Sequence, residues 1–282
     1  MKKSWDSLYE NELSNHASNP QDEGTVWFDD ADAERKMVEF LDERATTTTG
    51  EPTTGTGTGT GTALNRSTAA VLDLGCGNGS LLFALRDDGW AGRLLGVDYS
   101  ERSVQLARAV GVSRRGGGDC DQEEEEEEGG DGDENARERE NEKEREVDFK
   151  TWDVLNGPLD DVRAATIEGD AAAAAGWDLV LDKGTFDAIS LSGERDGQGR
   201  RICEGYGARV LQLLRTGGLF LVTSCNWTEA ELREWFGGKT WAEAGTETGA
   251  RLRLAGRIAY PVFSFGGVKG QTISTLCFEK VV

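Results

Sequence analysis

Histidine and clustered cysteine are in short supply in this 282-residue chain. Its one histidine is His16, and no two of its five cysteines, Cys76, Cys120, Cys203, Cys225 and Cys277, form a C-x-x-C pair. The usual nitrogen and sulfur donors of a zinc site are therefore missing, and no metal is expected. Scattered cysteines in odd number read as free thiols of a reducing compartment, so the expected location is cytoplasmic. No run of about 18 apolar residues is present, which argues against a membrane span. The opening "MKKSWDSLYENEL" is charged where a signal peptide needs an apolar stretch. Basic residues are outnumbered, 31 against 52 acidic ones, for a formal net charge of -21. That balance disfavours direct contact with nucleic acid or an anionic membrane and suits a basic protein partner.

Apolar residues make up 37% of the chain, less than a compact globule usually carries. Two segments account for the dilution. "TTTTGEPTTGTGTGTGT", residues 46 to 62, has no large side chain to bury and reads as a flexible linker extending to residue 66. Between Asp119 and Glu146 there are 16 acidic residues against four basic ones. Such a block repels itself and forms no core, so residues 111–146 are expected to be a disordered acidic insertion. Residues 1–45 then form a helical arm and residues 67–282 the main domain. In the arm, Trp5, Leu8, Tyr9 and Leu13 fall at helical spacing, as do Met37, Phe40 and Leu41. Helices this short need to pack on the domain to be stable.

Within the main domain short apolar runs alternate with plausible helices. The runs are "AAVLDL", "LLGVDYS", "VDFKTWD", "WDLVLD" and "GLFLVTS". Between them stand segments such as "SLLFALRDDG", "SERSVQLARAV" and "RRICEGYGARVLQLLR". Alternation of this kind predicts an α/β fold with a parallel sheet covered by helices on both faces. The runs are nearly continuous, as strands buried on both sides should be. After Trp235 the pattern changes, and "RLRLAGRIAY" with "QTISTLCFEK" predicts an antiparallel hairpin at the sheet's edge.

The first run leads into "VLDLGCGNGS", a strand followed by Gly75, Gly77 and Gly79. A dinucleotide fingerprint requires G-x-G-x-x-G, and here the last position is Ser80. A P-loop is excluded because no G-K-[ST] follows this turn. The next strand ends at Asp98, followed by Tyr99, 19 residues beyond Gly79. A carboxylate there suits both ribose hydroxyls of an adenosine, whether in NAD or in S-adenosylmethionine. Asp73, two residues ahead of Gly75, suits a positive amino group and would repel a pyrophosphate. In "TWD" Asp153 can accept from an adenine amino group, and Trp152 offers either a flat face or ordinary core packing.

"VLDLGCGNGS", "GVDYS", "DLVLDKGTFDAISL" and "LVTSCNWTEAEL" together resemble the seven-strand, S-adenosylmethionine-dependent methyltransferases. More narrowly they are similar to the eukaryotic protein-lysine methyltransferases that modify translation elongation factor 1-alpha. "SWDSLYENEL", "GTVWFDD" and "FSFGG" share the likeness, which covers residues 4 to 43, 69 to 110 and 147 to 279. The glycine turn specifies only the cofactor, whereas "DKGTFDAISL" with "TSCNWT" is more particular. Neither the Thr/Gly tract nor so large an acidic insertion belongs to the family pattern. The resemblance implies a Rossmann-like seven-strand sheet, mostly parallel with a C-terminal antiparallel hairpin. It implies S-adenosyl-L-methionine as cofactor and elongation factor 1-alpha as protein substrate, with a monomer as the default state.

Ligands of open parallel sheets sit at the carboxyl ends of the strands. That rule selects Asp182, Lys183, Gly184 and Thr185 after the fourth strand, and Ser224, Cys225, Asn226 and Trp227 after the fifth. Asp182 is the expected grip on the incoming ammonium, unless it bonds the backbone amides of the following turn. Asn226 and Trp227 are expected to line the lysine channel, with core packing the alternative for Trp227. Thr228 and Glu231 read as a capping box. Trp27, with Phe28, is expected to close over the cofactor, and "FSFGG" to form a loop or a strand near the substrate. Competing readings are a methyltransferase for a small molecule or nucleic acid, a cofactor-binding module without chemistry, and an NAD oxidoreductase. "DKGTFD" differs from the N-P-P-[YF] motif of base-amino methyltransferases, and the acidic surface opposes nucleic acid.

Overall fold

Seven strands pair into one sheet, and the five between its two edges are buried on both faces, which explains their nearly continuous apolar runs. The computed structural model describes residues 2–46, 64–116, 146–163, 176–238, 249–261, 263–265, 268–270 and 272–282. Most of the Thr/Gly tract, the acidic block at 117–145 with Cys120, and Gly266 and Gly267 of "FSFGG" lie outside the described residues. The strands are β1 (Val71–Leu74), β2 (Leu94–Asp98), β3 (Val147–Thr151), β4 (Trp177–Lys183), β5 (Leu214–Ser224), β6 (Arg251–Ile258) and β7 (Ser274–Val281). Their order is β3-β2-β1-β4-β5-β7-β6. The first five are mutually parallel, and β7 runs antiparallel to both β5 and β6. The expected C-terminal hairpin is present, with β7 slotted inside against β5 and β6 at the margin.

Side chains alternate along each strand between two cores. Val71, Leu94, Leu179, Leu181, Leu219, Leu221 and Cys277 face one. Leu72, Leu74, Leu95, Val97, Val180, Phe220, Val222, Leu276 and Phe278 face the other. The helices are α1 (Lys2–Ser18), α2 (Ala33–Asp42), α3 (Ser80–Asp87), α4 (Glu101–Gly116), α5 (Thr185–Ser190), α6 (Tyr206–Leu213) and α7 (Glu229–Phe236). Residues of α1 to α4 fill the first core, including Tyr9, Met37, Leu41, Leu82 and Val110. Residues of α5 to α7 fill the second, including Phe186, Tyr206, Leu211 and Phe236. Burying a side chain the size of Met37 or Leu41 is worth about 1.5–3 kcal/mol, enough to dock an arm whose helices are too short to stand alone.

Two boundaries differ from expectation. Residues 111–116 are helical, because α4 continues to Gly116. Val110 and Gly111 are buried, Arg114 bridges Glu23 and Asp87 at 2.9 Å each, and Arg115 meets Glu146 at 2.7 Å. At the other tract, Leu64–Asn65 pairs in parallel with Ala45–Thr46. The chain therefore leaves and returns at one place on either side of 47–63, where added length costs little closure entropy. Phe263–Phe265 and Val268–Gly270 form a small antiparallel pair between β6 and β7.

Candidate active site

From β1 the chain builds outward through α3 to β2 and on to β3, then crosses back to β4 on the other side of β1, and this reversal opens a crevice at the strands' carboxyl ends. A cleft of about 470 Å³ occupies it. Gly75 forms its floor at φ 71. A Cβ there would lie 2.0 Å from Thr185 Oγ1, whose hydroxyl donates to Leu74 O at 2.6 Å. A Cβ at Gly79 would strike the Phe149 ring at 2.6 Å, so the turn tolerates no side chain at either glycine. Gly77 donates its N–H to Asp98 Oδ2 at 3.4 Å. Gly77 and Gly79 thus shape the turn from behind, and Gly75 is the glycine that faces the cleft.

Asp98, Tyr99, Trp152 and Asp153 line one end together. Asp98 Oδ1 accepts from Ser100 N at 2.8 Å, and burial pushes its carboxyl up from the usual range. The Tyr99 hydroxyl is buried with no hydrogen-bond partner among the described residues. Asp153 accepts from Leu155 N at 2.9 Å and Asn156 Nδ2 at 3.0 Å. Trp152 donates to Pro158 O at 2.9 Å and is buried in the second core, so it is wall and core at once. Asp73 is buried beneath the turn, not on the cleft lining. Burial lifts its carboxyl to about 7 against the opposing charge of Lys183.

At the other end stand Lys183, Thr185, Asp187, Cys225 and Asn226. Asp182 is fully buried and is not on the cleft. Its Oδ1 accepts from Thr185 N at 2.8 Å and its Oδ2 from Phe186 N at 3.0 Å, and Tyr206 donates its hydroxyl to Oδ2. Burial raises it to about 7 despite these donors. The carboxylate chosen by its place at the strand end thus holds the first turn of α5, and Asp187, one turn on, faces the cleft instead. Asp187 Oδ2 accepts from Cys225 N at 2.8 Å and Oδ1 from the Ser224 hydroxyl. Trp227 follows the alternative held open for it, core packing. Its ring packs on Phe186 and Trp235, its Nε1 donates to Ser190 Oγ at 2.9 Å, and it lines an adjoining groove.

The arm roofs the cleft with Trp5, Tyr9, Trp27 and Phe28. Trp27 is 42% exposed and stands edge-on to Trp5 at 5.4 Å. Lys183 Nζ donates to Trp27 O at 3.1 Å and meets Glu34 at 3.7 Å, which accepts from Ser80 Oγ at 2.7 Å. Phe28 adopts φ 64, a conformation uncommon for a bulky residue and seen at ligand clamps.

A family model described as a methyltransferase domain matches residues 65–116, the glycine turn through α4. Protein-lysine N-methyltransferase EFM4 of Saccharomyces cerevisiae is 35% identical over 284 residues, covering 99% of this chain and 93% of that protein. Its Schizosaccharomyces pombe namesake is 32% identical over 283 residues, covering 99% and 92%. The chain belongs to the EFM4 family of protein-lysine N-methyltransferases. Human EEF1A lysine methyltransferase 2 is 26% identical over 277 residues, covering 98% of this chain and 84% of that protein.

S-adenosylmethionine is the cofactor of this EFM4-family chain, and the residues present fit it. Among the described residues only burial and neighbouring charges act on the Asp73 carboxylate, with no hydrogen-bond donor on it, so from beneath the turn it is spare for an ammonium that reaches past bare Gly75. The orphaned Tyr99 hydroxyl and the spare lone pairs of Asp98 are matched by a ribose. Bare backbone at Gly75 permits close approach.

Sequence reasoning missed Asp187, Trp5, Tyr9 and Glu194 as cleft residues. Asp187 was legible as the second acid of "DKGTFD", one helical turn past the strand end. Trp5 and Tyr9 share a helix face by their i,i+4 spacing.

Proposed function

We propose that this chain methylates a lysine of translation elongation factor 1-alpha. One observation carries the reading: in a single cleft, Gly75, Asp98 and Tyr99 stand opposite Asp187, Cys225 and Asn226. The substrate protein is supported by the name of the vertebrate relatives, which align along nearly the whole chain.

Bound S-adenosylmethionine supplies an electrophilic methyl group on a sulfonium. A free lysine, with a pKa of ~10.4, is protonated and cannot attack. Asp187 draws the ammonium to the mouth, and the Asn226 side-chain oxygen accepts from it. Entry into a cleft roofed by Trp5, Trp27 and Phe28 strips water from the amine and lowers its pKa, so the proton is shed to solvent. Holding the nitrogen at two points aligns its lone pair, and alignment is the larger part of such catalysis. Asp182 contributes from below by fixing the turn that carries Thr185 and Asp187. Asn226 is held at its backbone by Ser224 Oγ at 3.1 Å.

The test is incubation with purified elongation factor 1-alpha and methyl-labelled cofactor, followed by peptide mapping. Label on one lysine, reduced at least about tenfold in Asp187→Asn, is the expected result. Label on another residue type, or none, overturns the reading.

A further inference from the structure

We infer that a groove beside the cleft seats the stretch of substrate polypeptide that flanks the target lysine. The inference rests on the lysine-methyltransferase reading above and adds where the rest of the substrate lies. The groove, about 530 Å³, runs between the first turn of α7 and the residues around the start of β7. Thr228 and Ala230 stand on one wall, Arg257, Thr272 and Ile273 on the other. Cys225 and Asn226 line both groove and cleft, so the two spaces adjoin across these residues.

Geometry favours a polypeptide as the occupant. A lysine that reaches into the cleft brings its own backbone to the mouth, and that backbone must continue somewhere. On the arm side the way is taken by Trp27 and Phe28, tied down through Lys183. On the β5 side the groove lies open, and Asn226 and Thr272 are exposed in it. Amide and hydroxyl groups of this kind satisfy the N–H and C=O groups of an extended chain, which must be paired when they leave water. Glu229 and Arg257 meet at 3.2 Å and cancel each other's charge. A groove so balanced gives no electrostatic preference to this chain's own acidic block as its occupant.

Ala230 and Thr272 are both exposed, so a tryptophan at either fills the groove without displacing core. Ala230→Trp and Thr272→Trp are compared with the wild-type protein for KM and kcat on purified elongation factor 1-alpha, and for cofactor Kd by calorimetry. Each variant is expected to raise the KM for the protein substrate about tenfold, with kcat within about twofold and cofactor Kd unchanged. KM unchanged in both variants overturns the inference. A loss of cofactor affinity alongside KM shows a structural disturbance and overturns it too. A lower KM means that a segment of this chain normally occupies the groove, again against the inference. Failure of the wild-type protein to label the factor removes the underlying reading first, and the wild-type control alone reveals it.

Discussion

Asp73 is a buried carboxylate with no hydrogen-bond donor on it among the described residues. Burial raises it to about 7, with Lys183 opposing, so near neutrality part of the protein holds a proton there. A ligand ammonium favours the charged form, so binding must expel that proton. Affinity for S-adenosylhomocysteine, which keeps the amino group, should therefore rise between about pH 6 and 7.5 and then level off. Asp73→Asn should bind more weakly and lose that slope, as read by calorimetry in buffers of different ionisation enthalpy. An unchanged slope in the variant would assign the proton elsewhere. Asp182 is raised to about 7 as well. Its protein-held proton is kept at pH values where the unfolded chain, with a carboxyl near 3.8, has lost it. The sign follows: stability falls as pH rises from about 4 to about 7. Asp182→Asn removes its share of that slope and exchanges an acceptor for a donor beside Phe186 N–H. It should cost about 1–3 kcal/mol in urea unfolding. Loss of methyl transfer without loss of stability would instead restore Asp182 to the ammonium grip. The two acids of "DKGTFD" show what a sequence conceals at this scale. Position after the strand pointed to Asp182, but its bonds to Thr185 and Phe186 turn it inward, leaving Asp187 to the cleft.

At the scale of elements, strands and helices were legible because each obeyed one period. Leu179 and Leu181 face one core and Val180 the other, which only a strand covered on both sides can satisfy. The capping box at α7 was equally local: Thr228 Oγ1 accepts from Glu231 N at 3.3 Å, and Thr228 N donates to Glu231 at 2.8 Å. What was hidden depends on distant partners. "SRRGGG" looks like the start of a loop, yet the end of α4 is held by Glu23 from the arm and Glu146 from beyond the acidic block. Trp227 read equally as channel wall or core, and only its distant partners Phe186, Trp235 and Ser190, which claim its ring, separate the two. The arm is the element on which function and packing meet. Asp6 accepts from Ser100 Oγ at 2.6 Å, and Asn78 Nδ2 donates to Glu23 O at 2.9 Å. These bonds join α1 to the start of α4 and the following segment to the cofactor turn. Trp27 adds a half-exposed ring to the roof. Trp27→Ala should therefore weaken cofactor binding about three- to thirtyfold while moving the urea midpoint little, because little of the core is lost. Unaltered cofactor affinity would reduce the arm to a structural brace.

Across the whole molecule the charge is unevenly placed. Between Asp119 and Glu146, 16 acids stand against four bases, which puts twelve of the 21 net negative charges in one stretch. Its described flanks are the end of α4 and Glu146, just ahead of Val147 at the amino end of β3. The cleft opens at the carboxyl ends of the strands, so the block is rooted across the depth of the sheet, about 15 Å at ~3.3 Å per residue. Contact with a lysine in the cleft is not required of it, but a field is. At about 0.01 M salt the screening length is about 30 Å and spans that depth, and at about 1 M it is about 3 Å and does not. A substrate with a basic surface would be drawn to the enzyme at low salt and not at high salt. Deleting residues 119–146 should lower kcat/KM for elongation factor 1-alpha several-fold at low salt. The same deletion should leave kcat/KM within about twofold above 0.5 M and cofactor Kd unchanged throughout. The steady-state ratio of full-length to deleted protein, plotted against ionic strength, is the measurement. A flat ratio would show that the block carries charge without steering, and a ratio that rises with salt would show that it repels the substrate instead.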